Sequence, residues 1–173
     1  SVVGGNWGIG CNALHFLDLF VFLSEKKLQY INVNLIEDEL LESSRKGFTE
    51  FTGTLTGYLS DGSFFNITSL KGESSAISVT IFNNEQRLII QEGSTPQIYE
   101  LEKKNLFNCK KDIFKVQYQS ELTTNIVEGL LNNNSCLLPL YDDAKHTHEL
   151  FLTTMLEKYN NITGLQATIL PIT

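Results

Sequence analysis

From Ala13 to Leu23 the chain reads ALHFLDLFVFL, with His15 and Asp18 as its only strongly polar residues. The run is too short to span a bilayer. The longer stretch CNALHFLDLFVFLSEKK reads as a helix buried over most of its circumference. Lys26 and Lys27 close it, where cations suit the negative end of the helix dipole. A helix of this kind needs a second apolar layer to lie against, and the rest of the sequence has to supply it.

The next segments are strand-like. LQYINVNLI is rich in β-branched and aromatic residues. TEFTGTLTGYLSDGSFFNITSL places two such runs around Asp61-Gly62, a hairpin signal because both residues tolerate positive φ. AISVTIFNNEQRLIIQE repeats the pattern around Asn83-Asn84, and PQIYELEK and IFKVQYQ add two strands. SELTTNIVEGLLNNN then turns helical. Pro139 suits the start of a last helix from about Leu140 to Tyr159, in which Ala144, Phe151, Leu152, Met155, Leu156 and Tyr159 keep a 3.6-residue period. ATILPIT ends the chain as an edge strand. No β-α-β alternation occurs. The expected fold class is α+β: an open, mostly antiparallel sheet covered on one face by helices, as a single domain over residues 1–173.

Charge narrows the partners. The net charge is −7, and Arg45 and Arg87 are the only arginines. That argues against nucleic acid, whose phosphates call for a basic face. Cys11, Cys109 and Cys136 form no C-x-x-C pair and read as reduced thiols of a cytoplasmic protein away from any membrane.

Within the first helix Asn12, His15 and Asp18 recur every three residues. Each step drifts by about 60°, so they form one polar stripe. One reading is a narrow solvent-facing strip. The other is a ligand site, because amide, imidazole and carboxylate together can orient a polar ligand and move a proton. The stripe holds no Lys, Glu or Arg, and it adjoins the loop GGNWGIG with the only tryptophan, Trp7. The imidazole of His15 is expected to face a cavity bounded by that loop. The loop lacks G-x-G-x-x-G spacing, so its glycines are read as allowing close backbone approach rather than holding a cofactor. His146 and His148 in HTHE do not match a zinc motif, and no metal site is expected. His148 is either a hydrogen-bonded core histidine or a second pocket residue.

GGNWGIGCNALHFLDLF resembles the opening of the C-terminal, substrate-binding domain of the Gfo/Idh/MocA oxidoreductases. Members carry a glycine-rich turn followed by a helix with D-x-x-x-H-x-x-D. His15 matches the histidine and Asp18 the second acid, while Cys11 stands where the first acid would be. A subgroup with W-G-[LI]-x-C-N-x-x-H is closer, with Asn12 taking part of the polar role. LLPLYDDAKHTHELFLTTMLEKYN is similar to the family's final helix, and the hairpin-rich middle fits its open sheet, of the kind in the C-terminal domain of glyceraldehyde-3-phosphate dehydrogenase.

The resemblance implies a catalytic His15, with Trp7, Asn12, Asp18 and His148 binding a sugar or sugar derivative. It also implies a homodimer or tetramer built on the sheet, and NAD or NADP held by an N-terminal Rossmann domain. This chain carries neither that domain's fingerprint nor a Glu-Lys-Pro motif. It is therefore expected to be a fragment that binds no dinucleotide alone. Two rival functions stand beside this one: a non-catalytic ligand-binding or scaffold module, and a lyase or isomerase using His15 as base.

Overall fold

The computed structural model describes residues 1–83, 86–91, 97–102, 109–113, 119–133 and 138–172. Strand β1 (Val2–Gly5) leads into helix α1 (Ile9–Ser24) and strand β2 (Leu28–Ile36). Next comes a small hairpin, β3 (Leu41–Glu42) with β4 (Thr49–Glu50). The strands β5 (Gly53–Leu59), β6 (Phe64–Leu70), β7 (Ser78–Phe82), β8 (Gln86–Gln91), β9 (Gln97–Glu102) and β10 (Cys109–Ile113) precede helices α2 (Gln119–Asn133) and α3 (Tyr141–Thr163). The main sheet runs β10-β9-β8-β7-β1-β6-β5-β2. Its described pairs are antiparallel except β1 with β6.

The α+β class and the open, mostly antiparallel sheet match the expectation. Strand β1 does not. VVGG is too short to show a period, yet it lies in the middle of the sheet, Val2 opposite Ile67 on one side and Val79 on the other. ATILPIT forms no strand within its described residues; Thr49 N–H instead donates to Pro171 O at 2.7 Å. Helix α1 stops at Ser24, whose hydroxyl donates to Phe20 O at 2.7 Å, and Glu25 caps it in the left-handed region. Lys26 and Lys27 therefore lie beyond the helix end. Of IFKVQYQ, Ile113 ends β10 and Gln119 opens α2, and residues 114–118 fall outside the described residues. The Asn83-Asn84 turn and Cys136 also fall partly or wholly outside them.

One face of the sheet is buried under α1 and α3. Ile9, Ala13, Leu17 and Phe20 of α1 meet Leu55, Phe65, Ile67 and Val2, and Phe20 lies 5.8 Å from Phe65 between ring centroids. Phe151 and Met155 of α3 complete this core. Each large apolar side chain so buried contributes up to about 1.5–3 kcal/mol. Helix α3 is tied to β2 by His146, whose Nε2 lies 2.8 Å from Leu28 O. Among the described residues α2 has no extensive contact with the sheet, so the covering layer is α1 and α3 rather than all three helices. The other face carries Tyr58 opposite Phe64, Thr56 opposite Asn66, and Thr54 opposite Thr68. Tyr30 stacks on Tyr58 at 5.3 Å, and these two tyrosines and Phe64 are exposed.

Candidate functional site

The glycine-rich turn leaves the centre of the sheet and has to rise onto its face within three residues. Asn6 takes a positive φ of 53°, and its N–H donates to Leu70 O at 2.9 Å. Trp7 is pinned twice, its backbone N–H to Ser69 Oγ at 3.2 Å and its indole N–H to Thr68 O at 3.0 Å. Its ring meets the edge of Phe16 at 5.4 Å. Asn12 reaches back across the turn, its amide donating to Trp7 O at 2.6 Å and Gly8 O at 3.2 Å.

Helix α1 has no N-cap side chain of its own, because Gly8 occupies that position with φ 77°. Its exposed backbone donors are met from elsewhere. Ile9 N–H donates to Phe51 O at 3.3 Å, and Gly10 N–H to the Glu50 carboxylate at 2.9 Å. Glu50 thus sits at the positive end of the helix dipole, a favourable place for an anion. The glycines make room for it. A Cβ on Gly8 would lie 2.7 Å from Glu50 Cδ, and one on Gly10 would lie 3.0 Å from Glu50 Oε2. Close backbone approach, expected for this loop, is what its geometry delivers. A diphosphate does not fit at the α1 N-terminus, because the protein's own carboxylate stands there.

Over this turn folds the β3–β4 hairpin, and between them lies a cleft of about 370 Å³. Asn6, Trp7, Cys11 and Asn12 line one side; Glu42, Arg45, Glu50 and Thr52 line the other. The connecting loop is held by its own bonds, with Ser43 N–H donating to Phe48 O at 3.0 Å. Thr52 Oγ1 donates to Glu37 at 3.0 Å. Burial pushes the Glu50 carboxyl above the usual carboxylate range, an effect opposed by the backbone donors of Gly10, Phe51 and Cys11.

The polar stripe is divided by this arrangement. Trp7 and Asn12 line the cleft, as does Cys11. His15 does not: it is exposed on α1, one turn beyond Cys11, and is not among the residues that line this cleft. Asp18 and His148 meet each other instead, with Nε2 3.2 Å from Oδ2 across the α1–α3 contact. His148 is thus half-exposed and paired rather than a core histidine. Sequence reasoning does not reach Glu50, Arg45 or Thr52. Glu50 lies 40 residues from the glycine whose N–H it accepts, and no spacing rule connects them.

This fold is shared with solved oxidoreductases. A protein of Desulfitobacterium hafniense assigned as an NADPH-dependent oxidoreductase superposes over 92% of this chain at a TM-score of 0.64 and 9% identity. UDP-N-acetylglucosamine 3-dehydrogenase from Acidithiobacillus ferrooxidans superposes over 88% at a TM-score of 0.54 and 13% identity. The chain spans about half the length of each, 54% and 52%. No family model matches the sequence, and no curated protein matches it at a significant level. Among the described residues no helix is long and apolar enough to cross a membrane.

Proposed function

We propose that this chain is the substrate-binding and dimerisation domain of an NAD(P)-dependent dehydrogenase acting on a sugar or sugar derivative. The observation that carries the reading is the path of β1: a central strand that delivers a glycine-rich turn, a cleft and α1, in a fold shared with half of two oxidoreductases. The proposed domain type is the open-sheet C-terminal domain seen in glyceraldehyde-3-phosphate dehydrogenase. The second half of the enzyme is a Rossmann domain that holds the nicotinamide cofactor. With Glu50 filling the α1 N-terminus, this chain contributes no phosphate cradle at that turn.

The chain's own residues divide the remaining work. Trp7 and Asn12 shape the cleft wall where the sugar lies. To His15, one turn further along α1 and open to solvent, we assign the exchange of the proton of the hydroxyl that reacts. The Asp18–His148 pair fixes α3 beside it. The exposed sheet face with Tyr30, Tyr58 and Phe64 pairs two copies, and two dimers can pair again into a tetramer.

The test is the coding sequence upstream of Ser1 and the protein it completes. The full-length parent should melt higher with NADH or NADPH, since a ligand of the native state raises stability. It should also turn over a free or nucleotide-linked sugar with change in nicotinamide absorbance. This chain alone should show no saturable shift with either dinucleotide. A parent without nicotinamide binding would favour the ligand-binding module instead.

A further inference from the structure

We propose that Glu50 is the carboxylate that reads a hydroxyl of the ligand in the cleft, and so sets its preference for polyhydroxylated rings. The inference rests on the proposed sugar-binding role of the cleft and goes beyond it by naming the selecting residue. Three observations support it. Glu50 is half-buried in the cleft wall, while Glu42 on the same wall is exposed. Its orientation is fixed before any ligand arrives, because Gly10 N–H holds Oε2 at 2.9 Å and the carboxylate lies against Gly8 and Gly10, where an added Cβ would come within 2.7 and 3.0 Å of it. A carboxylate has about four lone-pair sites. The Gly10 bond uses one of them, and the carboxylate lines the cleft, so acceptor capacity remains there for a ligand donor.

A prepositioned, desolvated acceptor binds a hydroxyl without first ordering a long side chain. The cleft around it has the remaining groups a sugar ring needs. Trp7 offers an aromatic wall, and Arg45 on the opposite lip is a cation that can donate to ring or exocyclic oxygens. An anion is not the favoured occupant of this end, since Glu50 and Glu42 both face it.

The obvious alternative is that Glu50 only caps α1. Glu50→Gln separates the two roles, because the amide oxygen can still accept the Gly10 N–H while the charge is gone. The probe is methyl β-D-glucopyranoside, with tetrahydropyran as a ring of similar size without hydroxyls. Both are titrated into the 173-residue chain while the amide signals of Gly8 and Gly10 and the indole N–H of Trp7 are followed by NMR. The glucoside should shift these signals and tetrahydropyran should not. Glu50→Gln should weaken glucoside binding about tenfold, the loss of a charge-assisted hydrogen bond, with the α1 amide signals otherwise in place.

A second measurement needs no variant. Binding to the unaltered chain should weaken as pH falls through the raised range of Glu50. The groups that face it are Glu42 and Arg45 from the hairpin and the Cys11 thiol from α1, with Glu37 behind Thr52. Equal affinity in Glu50→Gln, a pH-independent affinity, or no shift of the Trp7 and Gly10 signals at the solubility limit of the glucoside would each overturn the inference. Nicotinamide-dependent turnover by the parent, indifferent to Glu50→Gln, would sink it and leave the dehydrogenase reading standing. Glucoside binding that depends on Glu50 in a parent without nicotinamide binding would do the reverse.

Discussion

At the scale of single residues, the pairing of Gly8 with Glu50 decides how the site is built. Gly8→Ala would place a methyl group 2.7 Å from Glu50 Cδ at a φ of 77°. It should cost about 1–3 kcal/mol, the usual range for a non-glycine residue held in a sparse backbone region, and chemical denaturation would measure it. The raised pKa of Glu50 sets its effect on the pH dependence of folding. Between the unfolded and the folded pKa the native state holds more protons than the unfolded chain, so this group makes stability fall as pH rises through that window. Glu50→Gln should flatten that slope and leave stability at neutral pH equal or higher. A variant that steepens the slope would contradict burial as the dominant cause. His15 supplies a third test. It is exposed and makes no polar contact among the described residues, so His15→Ala should leave the melting temperature nearly unchanged. In the parent the same change should lower turnover roughly 10²–10⁴-fold, the usual worth of a general acid–base group. Normal turnover would remove His15 from the reaction.

At the scale of elements, legibility in the sequence tracks the range of the interactions. Strand β2 and the Asp61-Gly62 hairpin are readable because strand propensity and turn chemistry are local. Even there the structure refines the reason. Only Gly62 takes a positive φ, 85°, and Asp61 acts through its side chain, which accepts Ser63 N–H at 2.9 Å and is held below the usual carboxylate range by that bond. Gly62→Ala should therefore cost about 1–2 kcal/mol from backbone strain alone, since nothing lies within 4 Å of the added methyl. Asp61→Asn should leave the melting temperature nearly unchanged, because the amide oxygen can still accept the Ser63 N–H. Strand β1 and the Glu50 cap are not legible, because both are defined by partners dozens of residues away. The polar stripe is legible as a stripe, but its division is not. Which of Asn12, His15 and Asp18 meets the cleft depends on where the β3–β4 hairpin and α3 come to rest.

At the scale of the whole molecule, the uncovered sheet face bears on assembly. Phe64 is 70% exposed, beside Tyr58 and Tyr30. In the dimer proposed above, Phe64→Lys should weaken self-association at least tenfold by light scattering or sedimentation, because aromatic side chains buried in an interface carry much of the binding energy. The folded monomer should melt as before. A strict monomer in the unaltered chain would remove the sheet from the interface. The central position of β1 governs the order of folding. Strands β2, β5 and β6 on one side and β7 to β10 on the other pair only within their own group; the two groups join through four residues, Val2–Gly5. During synthesis those residues emerge before either of the strands they pair with, and they have nothing to pair with until residues 67 and 79 exist. The β5–β6 hairpin can close locally and early, whereas β1 must wait and then insert between two preformed edges, a step with a large loop-closure cost. Conservative truncations in β5 and β6 should slow folding, while Val2→Ala should chiefly speed unfolding.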